Sequence, residues 1–305
     1  MAVPLFITSG DMLADRRYAL ARDYAADGDL AAAADLYAQA TELAPGFASA
    51  WFALGEAREA LGDRDGARAA FEKAQGADPE DRHGAALHLA RLGAADPATR
   101  ELHSYVRTLF DQYAPRFDRA LEDLGYRAPA LLRDAVIADA GGSRFGTMLD
   151  LGCGTGLAGM AFRPYVDRLV GVDLSPKMIE EARRKGVYDA LAVGDIAEFL
   201  SRQHAAKAGA DLVLAADVFA YIGDVGAVCG AVAGVLAPSG LFGFTVETHA
   251  GEGAIVGAKM RYQHALEFVR DAIADAGMII RRLDAVSTRN ENRVPVPGLL
   301  VVAGR

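Results

Sequence analysis

The stretch Asp150-Leu151-Gly152-Cys153-Gly154-Thr155-Gly156 decides the fold, because it joins the apolar segment Thr147-Met148-Leu149 to a helix-like segment. Its alternating glycines allow a tight turn at which the backbone can approach a ligand closely. The N-terminus of the following helix offers free N–H groups. An acid at the end of the strand suits a ligand with a positive amino group, whereas a cradle for phosphate alone has no use for it. The stretch therefore predicts a strand, a glycine loop and a helix that bind a small charged molecule.

Three later segments are also apolar strands that end in an acid. The first is Leu169-Val170-Gly171-Val172-Asp173, after which Ser175 is expected to cap a new helix with Pro176 at its first position. The second is Leu191-Ala192-Val193-Gly194-Asp195, and the third runs from Asp211 to Asp217. Because ligands of open α/β sheets sit beyond the carboxyl ends of the strands, these acids are candidate binding residues.

These motifs resemble those of the class I S-adenosylmethionine (SAM) methyltransferases, over residues 105 to 305. The resemblance implies a doubly wound, Rossmann-like α/β sheet of seven strands with an antiparallel final strand. It implies that Asp150 faces the methionine end of SAM, that Asp173 accepts both ribose hydroxyls, and that Asp195 meets the adenine amine while Ile196 packs on the ring. The cofactor-binding candidates are Asp150, Gly152, Cys153, Gly154, Gly156, Asp173, Leu174, Asp195, Ile196, Asp217 and Tyr113.

A dinucleotide-binding site is the main alternative within this fold. Gly154-Thr155-Gly156-Leu157-Ala158-Gly159 also spells G-x-G-x-x-G, and Asp173 follows about 20 residues later, as that fingerprint requires. The fingerprint does not account for Asp150, whose charge would repel a pyrophosphate. Three acids at three successive strand ends favour SAM over a nicotinamide cofactor.

The first 93 residues contain an internal repeat with a period of 34 residues. Trp51, Leu54, Gly55, Gly62, Ala67, Phe71, Ala74 and Pro79 occupy the signature positions of a tetratricopeptide repeat. A shift back by one period gives Leu20, Ala21, Gly28, Ala33, Tyr37, Ala40 and Pro45. We expect an all-α domain over residues 1–93, with repeats at about 14–47 and 48–81 and a capping helix that ends near Leu92.

The segment between the two predicted domains is assigned to a linker and a lid, residues 94–129. Ala94-Ala95-Asp96-Pro97 is the linker, and an aromatic-rich run from Tyr105 to Asp118 follows it. This run resembles the lead-in of predicted bacterial methyltransferases that carry tetratricopeptide repeats, in which it folds over the cofactor mouth. The alternative is a helix that packs its aromatic side chains on the domain. The methyltransferase domain itself is assigned to residues 130–305.

Strands alternate with helices through the rest of the chain, which indicates a parallel, doubly wound sheet. The predicted helices are 130–140, 197–208, 225–236 and an amphipathic helix from Arg261 to Ala276. The predicted later strands are 240–247, 278–283 and 298–303.

Methyl transfer requires an acceptor lone pair held in line with the methyl group in a dry site, and a base only where the acceptor is protonated. Three residues are candidates for direct catalytic roles: His249, His264 and Tyr221. Phe117, Phe219 and Tyr262 are candidates for binding the substrate. A structural role remains the alternative for each histidine. Glu247, His249 and His264 match no standard metal spacing, so no metal is expected.

Composition narrows the class of partner and the location. With a formal charge of −9 and no basic run, a nucleic-acid partner is not expected. Cys153 and Cys229 have no paired spacing, which fits a reducing cytoplasm, and the start of the chain has no signal-peptide pattern. The longest apolar run, 225–237, is too short to span a bilayer. We therefore expect a cytoplasmic protein without a membrane partner.

The sequence predicts a SAM-dependent methyltransferase that acts on O, N or C of a small molecule. Two alternatives stay open: a protein methyltransferase whose repeats recruit the substrate, and a non-catalytic SAM-binding scaffold. A short repeat array leaves an exposed edge, so we expect it to dock on the catalytic domain or on a second copy, which would make a homodimer. Arg58, Arg64 and Arg68 could instead read the acidic tail of a protein partner.

Overall fold

The structure is a computed structural model that describes residues 5–93 and 102–305. It divides into two compact units, Met1–Tyr105 and Val106–Arg305. The predicted linker Ala94-Ala95-Asp96-Pro97 lies outside the described residues.

The first unit is a stack of helices with the predicted period. Its described helices are α1 (Met12–Ala26), α2 (Leu30–Leu43), α3 (Ala48–Ala60), α4 (Arg64–Ala77) and α5 (Ala85–Arg91). Ala33, Ala67 and Phe71 are fully buried, as the repeat signature requires. Gly55 has a packing role, because a Cβ atom there would lie 2.6 Å from the Phe71 ring. The helical repeat domain is thus confirmed.

The second unit contains the predicted sheet. Its seven main strands are β1 (Phe145–Leu151), β2 (Val166–Asp173), β3 (Ala190–Val193), β4 (Ala210–Ala215), β5 (Leu236–His249), β8 (Ile279–Val286) and β11 (Gly298–Gly304). They lie in the order β3-β2-β1-β4-β5-β11-β8. Strands β1 to β5 pair in parallel, whereas β11 is antiparallel to both of its neighbours. The doubly wound, Rossmann-like sheet with an antiparallel final strand is confirmed.

The helices of the second unit within the described residues are α6 (His103–Tyr113), α7 (Phe117–Asp123), α8 (Ala128–Asp139), α9 (Leu157–Phe162), α10 (Pro176–Lys185), α11 (Ile196–Ala205), α12 (Val225–Val235) and α13 (Leu266–Asp275). One apolar core joins the sheet to α11, α12 and α13, and the other joins it to α8 and α9. No helix within residues 5–93 and 102–305 has the length and apolar character needed to cross a membrane.

The predicted helix from Arg261 to Ala276 is too long at its start. Tyr262–Ala265 form the strand β7, which pairs in parallel with the end of β5, and the helix α13 begins only at Leu266. The strand β6 (Ala254–Val256) pairs with β7 on the other side. Because β5 runs on to His249, its last residues offer free backbone groups, and pairing with them overrides the helical pattern of this segment. A short hairpin of β9 (Asn290–Glu291) and β10 (Val294–Pro295) precedes β11.

Candidate functional site

The glycine loop after β1 has the backbone that its sequence predicts. Gly152, Gly154 and Gly156 have φ angles of +61°, +53° and +93°, in the left-handed region that favours glycine. Gly156 also stands at the N-terminus of α9. The amide of Gly154 donates to Asp173 Oδ2 over 2.9 Å, so the loop is fastened to the end of the neighbouring strand.

Asp150, at the end of β1, is a buried acid that the loop encloses. Only 1% of its surface is exposed, and the Tyr188 hydroxyl donates to its Oδ2 over 2.6 Å. Burial raises the pKa of Asp150 to about 7, although the bond from Tyr188 acts in the opposite direction. The Tyr188 ring lies directly against Gly159, where a Cβ atom would be 2.4 Å from the tyrosine. The sequence analysis did not single out Tyr188.

Asp173, at the end of β2, is held by backbone amides. Its Oδ2 accepts from Gly154 and its Oδ1 accepts from Ser175 over 2.8 Å. Burial raises the pKa of Asp173 to about 6, although the two amide bonds lower it. Within the described ranges, neither Asp150 nor Asp173 forms an ion pair. Both acids therefore remain candidates for contact with a cationic ligand.

The third predicted acid follows β3, next to β2 in the sheet. Asp195 caps α11, because its side chain accepts from the amide of Glu198 over 2.9 Å. Ile196 is buried directly after it, and Leu174 is half-buried after β2. Since β1, β2 and β3 are parallel neighbours, the structure brings Asp150, Asp173 and Asp195 to the same edge of the sheet.

Two acids, Asp111 and Asp118, bind the aromatic-rich segment to the residues that follow β1 and β2. Asp111, on α6, accepts from the hydroxyl of Ser175 over 2.5 Å, at the N-terminus of α10. Asp118, on α7, accepts from Thr155 in the glycine loop, and Lys185 Nζ lies 2.6 Å from its second oxygen. The contacts of Asp118 thus join α7 to the glycine loop and to the end of α10.

Between these two fastenings, aromatic side chains lie over the glycine loop. The ring of Phe117 comes within 3.7 Å of the position that a Cβ atom on Gly154 would occupy. Phe110 packs edge-on against Tyr221 at 5.3 Å and against Phe117 at 6.0 Å. We call Phe110, Phe117 and Tyr221 the aromatic cluster. Tyr113, the cofactor candidate on α6, is half-buried, with the Arg116 guanidinium 5.1 Å from its ring centre.

A buried charge network lies at the ends of β4 and β5. Arg289 binds Asp217 through Nη1 at 2.8 Å, Glu247 through Nη2, and Glu291 through Nε at 3.3 Å. Arg261 binds Glu247 at 2.6 Å and also Glu291. We call these five residues the arginine network. The sequence analysis missed both arginines, because a single arginine in a polar segment carries no pattern that distinguishes it from a surface residue.

Asp217 was predicted to bind the cofactor, but its carboxylate is already engaged within the protein. The Thr245 hydroxyl donates to its Oδ1 over 2.7 Å, while Arg289 and Thr288 donate to its Oδ2. Its backbone is in the left-handed region, with a φ of +57°. The geometry therefore favours a role in holding the ends of β4 and β5 together over direct contact with a ligand.

Two tyrosine hydroxyls lie within the electrostatic influence of the arginine network. Burial raises the pKa of Tyr221 to about 12, and the charges of Arg261, Arg289 and Glu247 also act on it. Burial likewise raises the pKa of Tyr126, on which the charges of Asp217, Arg289 and Asp150 act. Tyr126 therefore lies within electrostatic reach of both the arginine network and the glycine loop.

Three of the predicted catalytic and substrate residues lie in other environments. Phe219 and Tyr262 are 0% and 1% exposed, and their rings pack in the core against Phe244 and Gly223 respectively. His264 is on β7, not on a helix, and it is fully buried with Nε2 2.9 Å from the carbonyl of Ile222. Burial lowers its pKa to about 4. The structure does not bring these three side chains to the aromatic cluster.

His249 is engaged in its own turn. Its Nδ1 accepts from the amide of Gly251 over 3.0 Å, and its Nε2 lies 3.2 Å from the carbonyl of Gly253. Both ring nitrogens thus have local partners, which favours a structural role. No cluster of three or more potential metal ligands occurs within residues 5–93 and 102–305.

Comparison with known proteins identifies both parts of the chain. A family profile described as a methyltransferase domain matches residues 149–242, and one described as a tetratricopeptide repeat matches residues 24–104. The human methyltransferase-like protein 27 is 31% identical over 183 residues, which are 59% of this chain and 68% of that protein. The chain belongs to the SAM-dependent methyltransferase family.

Solved structures confirm the fold of this methyltransferase. A Burkholderia thailandensis 1,6-didemethyltoxoflavin-N1-methyltransferase aligns with a TM-score of 0.56 and 18% identity, over 70% of this chain and 92% of that chain. Magnesium protoporphyrin IX methyltransferase from Synechocystis PCC 6803 aligns with a TM-score of 0.54 and 18% identity, over 67% of this chain and 99% of that chain. At this level of identity the likeness concerns the fold.

The site of this methyltransferase fits SAM. The glycine loop provides a cradle without side chains, and its left-handed angles would strain any other residue. The donor set has the right chemistry, because the buried Asp150 and the half-buried Asp173, which form no ion pair within the described residues, suit a ligand that carries an amine, a sulfonium and a ribose. SAM is therefore the cofactor of the enzyme, in agreement with its family.

Proposed function

We propose that this methyltransferase transfers the methyl group of SAM to an O, N or C atom of a small molecule with an apolar body. The observation that carries the proposal is the position of the aromatic cluster, with Phe117 against Gly154 in the cofactor loop. An acceptor held against these rings would lie beside the cofactor and away from water. A covered, aromatic site suits a compact molecule better than a side chain on the surface of a protein.

The proposed cofactor contacts follow the strand-end acids. Asp173 would accept the ribose hydroxyls, Asp150 would lie towards the methionine amine, and Asp195 with Ile196 would hold the adenine. The support for this assignment is that the ends of three neighbouring strands carry these residues, and that the acids of the first two strands lack ion pairs in the described ranges. Gly152, Cys153, Gly154 and Gly156 would contribute backbone alone, since the Cys153 side chain is buried.

Bound SAM supplies a methyl group that is already activated by the sulfonium. The residues of the chain then have to position the acceptor and exclude water. The aromatic cluster would orient an apolar acceptor, and the fastenings of Asp111 and Asp118 would keep α6 and α7 closed over it. Tyr221 stays protonated at neutral pH, because burial raises its pKa to about 12, so it can donate a hydrogen bond but is a poor base.

The test is a labelling experiment on a cell extract separated into metabolites and polypeptides. Purified enzyme and SAM with a labelled methyl group are added to each fraction, and the Asp173→Ala variant serves as the control for unbound cofactor. Enzyme-dependent label in metabolites supports the proposal. Replacement of Phe117 by Ala should then raise KM for the labelled metabolite. Label confined to polypeptides contradicts the small-molecule proposal.

Methylation of a protein is the second candidate, and the repeat unit favours it. Tetratricopeptide repeats commonly bind peptides, and this unit holds an extended segment of its own chain. In the same experiment, label in polypeptides that is lost when the repeats are deleted would support this candidate. Label in polypeptides that survives the deletion would indicate that the catalytic unit recognises the protein by itself.

Assembly and location are proposals as well. We propose that the short repeat array docks on its own catalytic domain or in a homodimer, because its end would otherwise expose apolar surface. Deletion of residues 1–92 should then lower solubility or activity, and a fully active, monomeric remainder would contradict the docking. A cytoplasmic location is supported by Cys153 and Cys229, which are both buried and unpaired.

A further inference from the structure

An extended segment before α1 lies along the helical repeats. Its exposure alternates, with Leu5, Ile7 and Ser9 half-buried while Phe6, Thr8 and Gly10 are exposed. Such alternation is typical of an extended chain with one face against a surface. Within the described residues the segment pairs with no strand, and its hydrogen bonds go to the repeats.

Three residues at the same position of successive repeats hold this segment. They are Asp15, Ser49 and His83, each 34 residues after the one before, and we call them the repeat row. The Ser49 hydroxyl accepts from the amide of Ile7 over 2.8 Å and lies 3.2 Å from the carbonyl of the same residue. The His83 ring lies near the backbone of Leu5, which acts on its pKa, and its Nε2 lies 3.1 Å from the Ser49 hydroxyl.

The third member of the row binds the other end of the segment. Asp15 accepts from the amide of Ser9 over 2.9 Å and from the hydroxyl of Thr8 over 2.5 Å. Residues 5, 7 and 9 thus meet the repeats in reverse order, at His83, Ser49 and Asp15. Contacts that recur at the repeat period along an extended chain are the arrangement that a stack of repeats offers to a bound peptide.

The row recognises backbone more than side chains. Ser49 binds the main chain of the segment, which any extended peptide can present, and His83 holds the Ser49 hydroxyl. Side-chain selectivity comes from Phe6, whose ring lies 5.3 Å from Tyr18 and 6.1 Å from Phe47. It also comes from Asp15, which requires a hydroxyl donor.

We propose that the repeat row is a binding site for an extended peptide, and that residues 5–9 occupy it as an intramolecular competitor. The fitting partner carries an aromatic residue, then a β-branched aliphatic residue and two hydroxyl residues. The segment is replaceable because few bonds hold it and 45% of Phe6 remains exposed. A peptide of this chemistry from another protein can bind the repeat row only after residues 5–9 have left it. The repeats of the unaltered protein therefore bind such a peptide weakly.

The test compares three full-length proteins by the fluorescence anisotropy of a labelled peptide with the sequence of residues 5–11. Ile7→Pro removes the amide that donates to Ser49, whereas Ile7→Val is the matched control that keeps it. We expect the Ile7→Pro chain to bind the peptide at least tenfold more tightly than the parent, and the Ile7→Val chain to bind like the parent. Ser49→Ala added to Ile7→Pro should remove this gain.

Each other outcome overturns the proposal. An Ile7→Pro chain that keeps its helices and melting temperature but binds no peptide would show that the row is not a peptide site. An Ile7→Pro chain that loses its helices would show that the segment is an integral part of the fold. A parent protein whose dimer dissociates on addition of the peptide, seen by light scattering, would make a second copy the partner of the segment.

Discussion

Two sets of carboxylates lie at the strand ends of the same sheet, and they differ in their partners. Asp150 and Asp173 accept from a tyrosine hydroxyl and from backbone amides, and no ion pair reaches them in the described ranges. Asp217 and Glu247 are bound by arginines, with Glu291 as a third acid in the network. Burial raises the pKa of the first pair to about 7 and 6. In the network, by contrast, the arginines hold the pKa of Glu291 below its usual value in spite of its burial.

The two sets differ in whether the protein itself supplies cations for the acids. Within the described residues it supplies none to Asp150 and Asp173, whereas two arginines bind the other set. Buried carboxylates without a cation are costly, so a cationic cofactor that supplies the missing charge gains affinity from them. The arginine network supplies two cations of its own for its three acids. We therefore expect it to give structural support by holding the ends of β4 and β5 and the β9–β10 hairpin in fixed positions around the proposed acceptor site.

The largest expected effect comes from removal of the central cation of the network. Arg289→Met should lower the free energy of unfolding by about 3–5 kcal/mol, because it leaves three acids with one arginine in a buried setting. Arg289→Lys should recover part of this loss, since one ammonium cannot bind three carboxylates. Urea unfolding measures both variants.

The matched control for Arg289 is Arg184→Met on α10, where the arginine is 62% exposed and pairs with Glu180 and Glu181. It should change the free energy of unfolding by less than about 1 kcal/mol. Equal effects of the Arg184 and Arg289 variants would show that the network contributes no more than surface ion pairs.

The second largest effect is expected at Asp173, which with Asp150 forms the set of acids bound by no arginine or lysine in the described residues. Asp173→Ala should weaken the binding of SAM about a hundredfold or more, because hydrogen bonds to a charged acceptor contribute about 1.5–3 kcal/mol each. Calorimetry measures this change. Asp167→Ala, at the exposed start of the same strand, is the control and should leave the binding constant unchanged. If the Asp173 variant binds SAM as tightly as the parent, Asp173 does not contribute to cofactor binding, and the proposed difference between the two sets of acids is wrong.

The pH dependence of SAM binding is a smaller effect with a definite sign. With pKa values of about 7 and 6, Asp150 and Asp173 are partly protonated in the free enzyme below neutral pH. A cationic cofactor favours the ionised forms, so the affinity should rise from pH 5.5 to pH 7.5, by at most about tenfold per pH unit for each proton released. Calorimetry in buffers of different ionisation enthalpy counts the protons. Asp150→Asn should flatten the profile, and a flat profile in the parent would contradict the raised pKa values.

The smallest expected effect lies at the fastening of α7. Lys185→Met removes an ion pair with Asp118 that is partly exposed, so its stability should change by only about 0.5 kcal/mol. Hydrogen exchange in residues 103–123 should nevertheless become faster, because α7 loses a contact with α10. Lys177→Met, at the exposed start of α10, is the control. Unchanged exchange would show that Thr155 alone keeps α7 in place.

The sequence indicated strand-end acids of both sets but missed the arginines that bind the second set, for a physical reason. Asp150, Asp173 and Asp195 follow apolar strands, and a local pattern of this kind specifies where a parallel strand ends. Arg289 meets Asp217 and Glu247 across 72 and 42 residues, from an irregular segment without periodicity. The same limit explains Phe219 and Tyr262. An aromatic residue after a strand fits a core and a pocket equally well, and only the packing around it decides.

Tyr188 explains why one glycine of the G-x-G-x-x-G run could not change alone. Gly159 has no unusual backbone angle, and the three atoms nearest to a Cβ atom placed there all belong to the Tyr188 side chain, at 2.4–2.8 Å. The glycine is thus dictated by a tyrosine 29 residues later in the chain. Among related sequences, positions 159 and 188 should therefore vary together, with alanine or serine at 159 only where a smaller residue replaces the tyrosine. A G-x-G-x-x-G sequence can thus result from side-chain packing, with no contribution from dinucleotide binding.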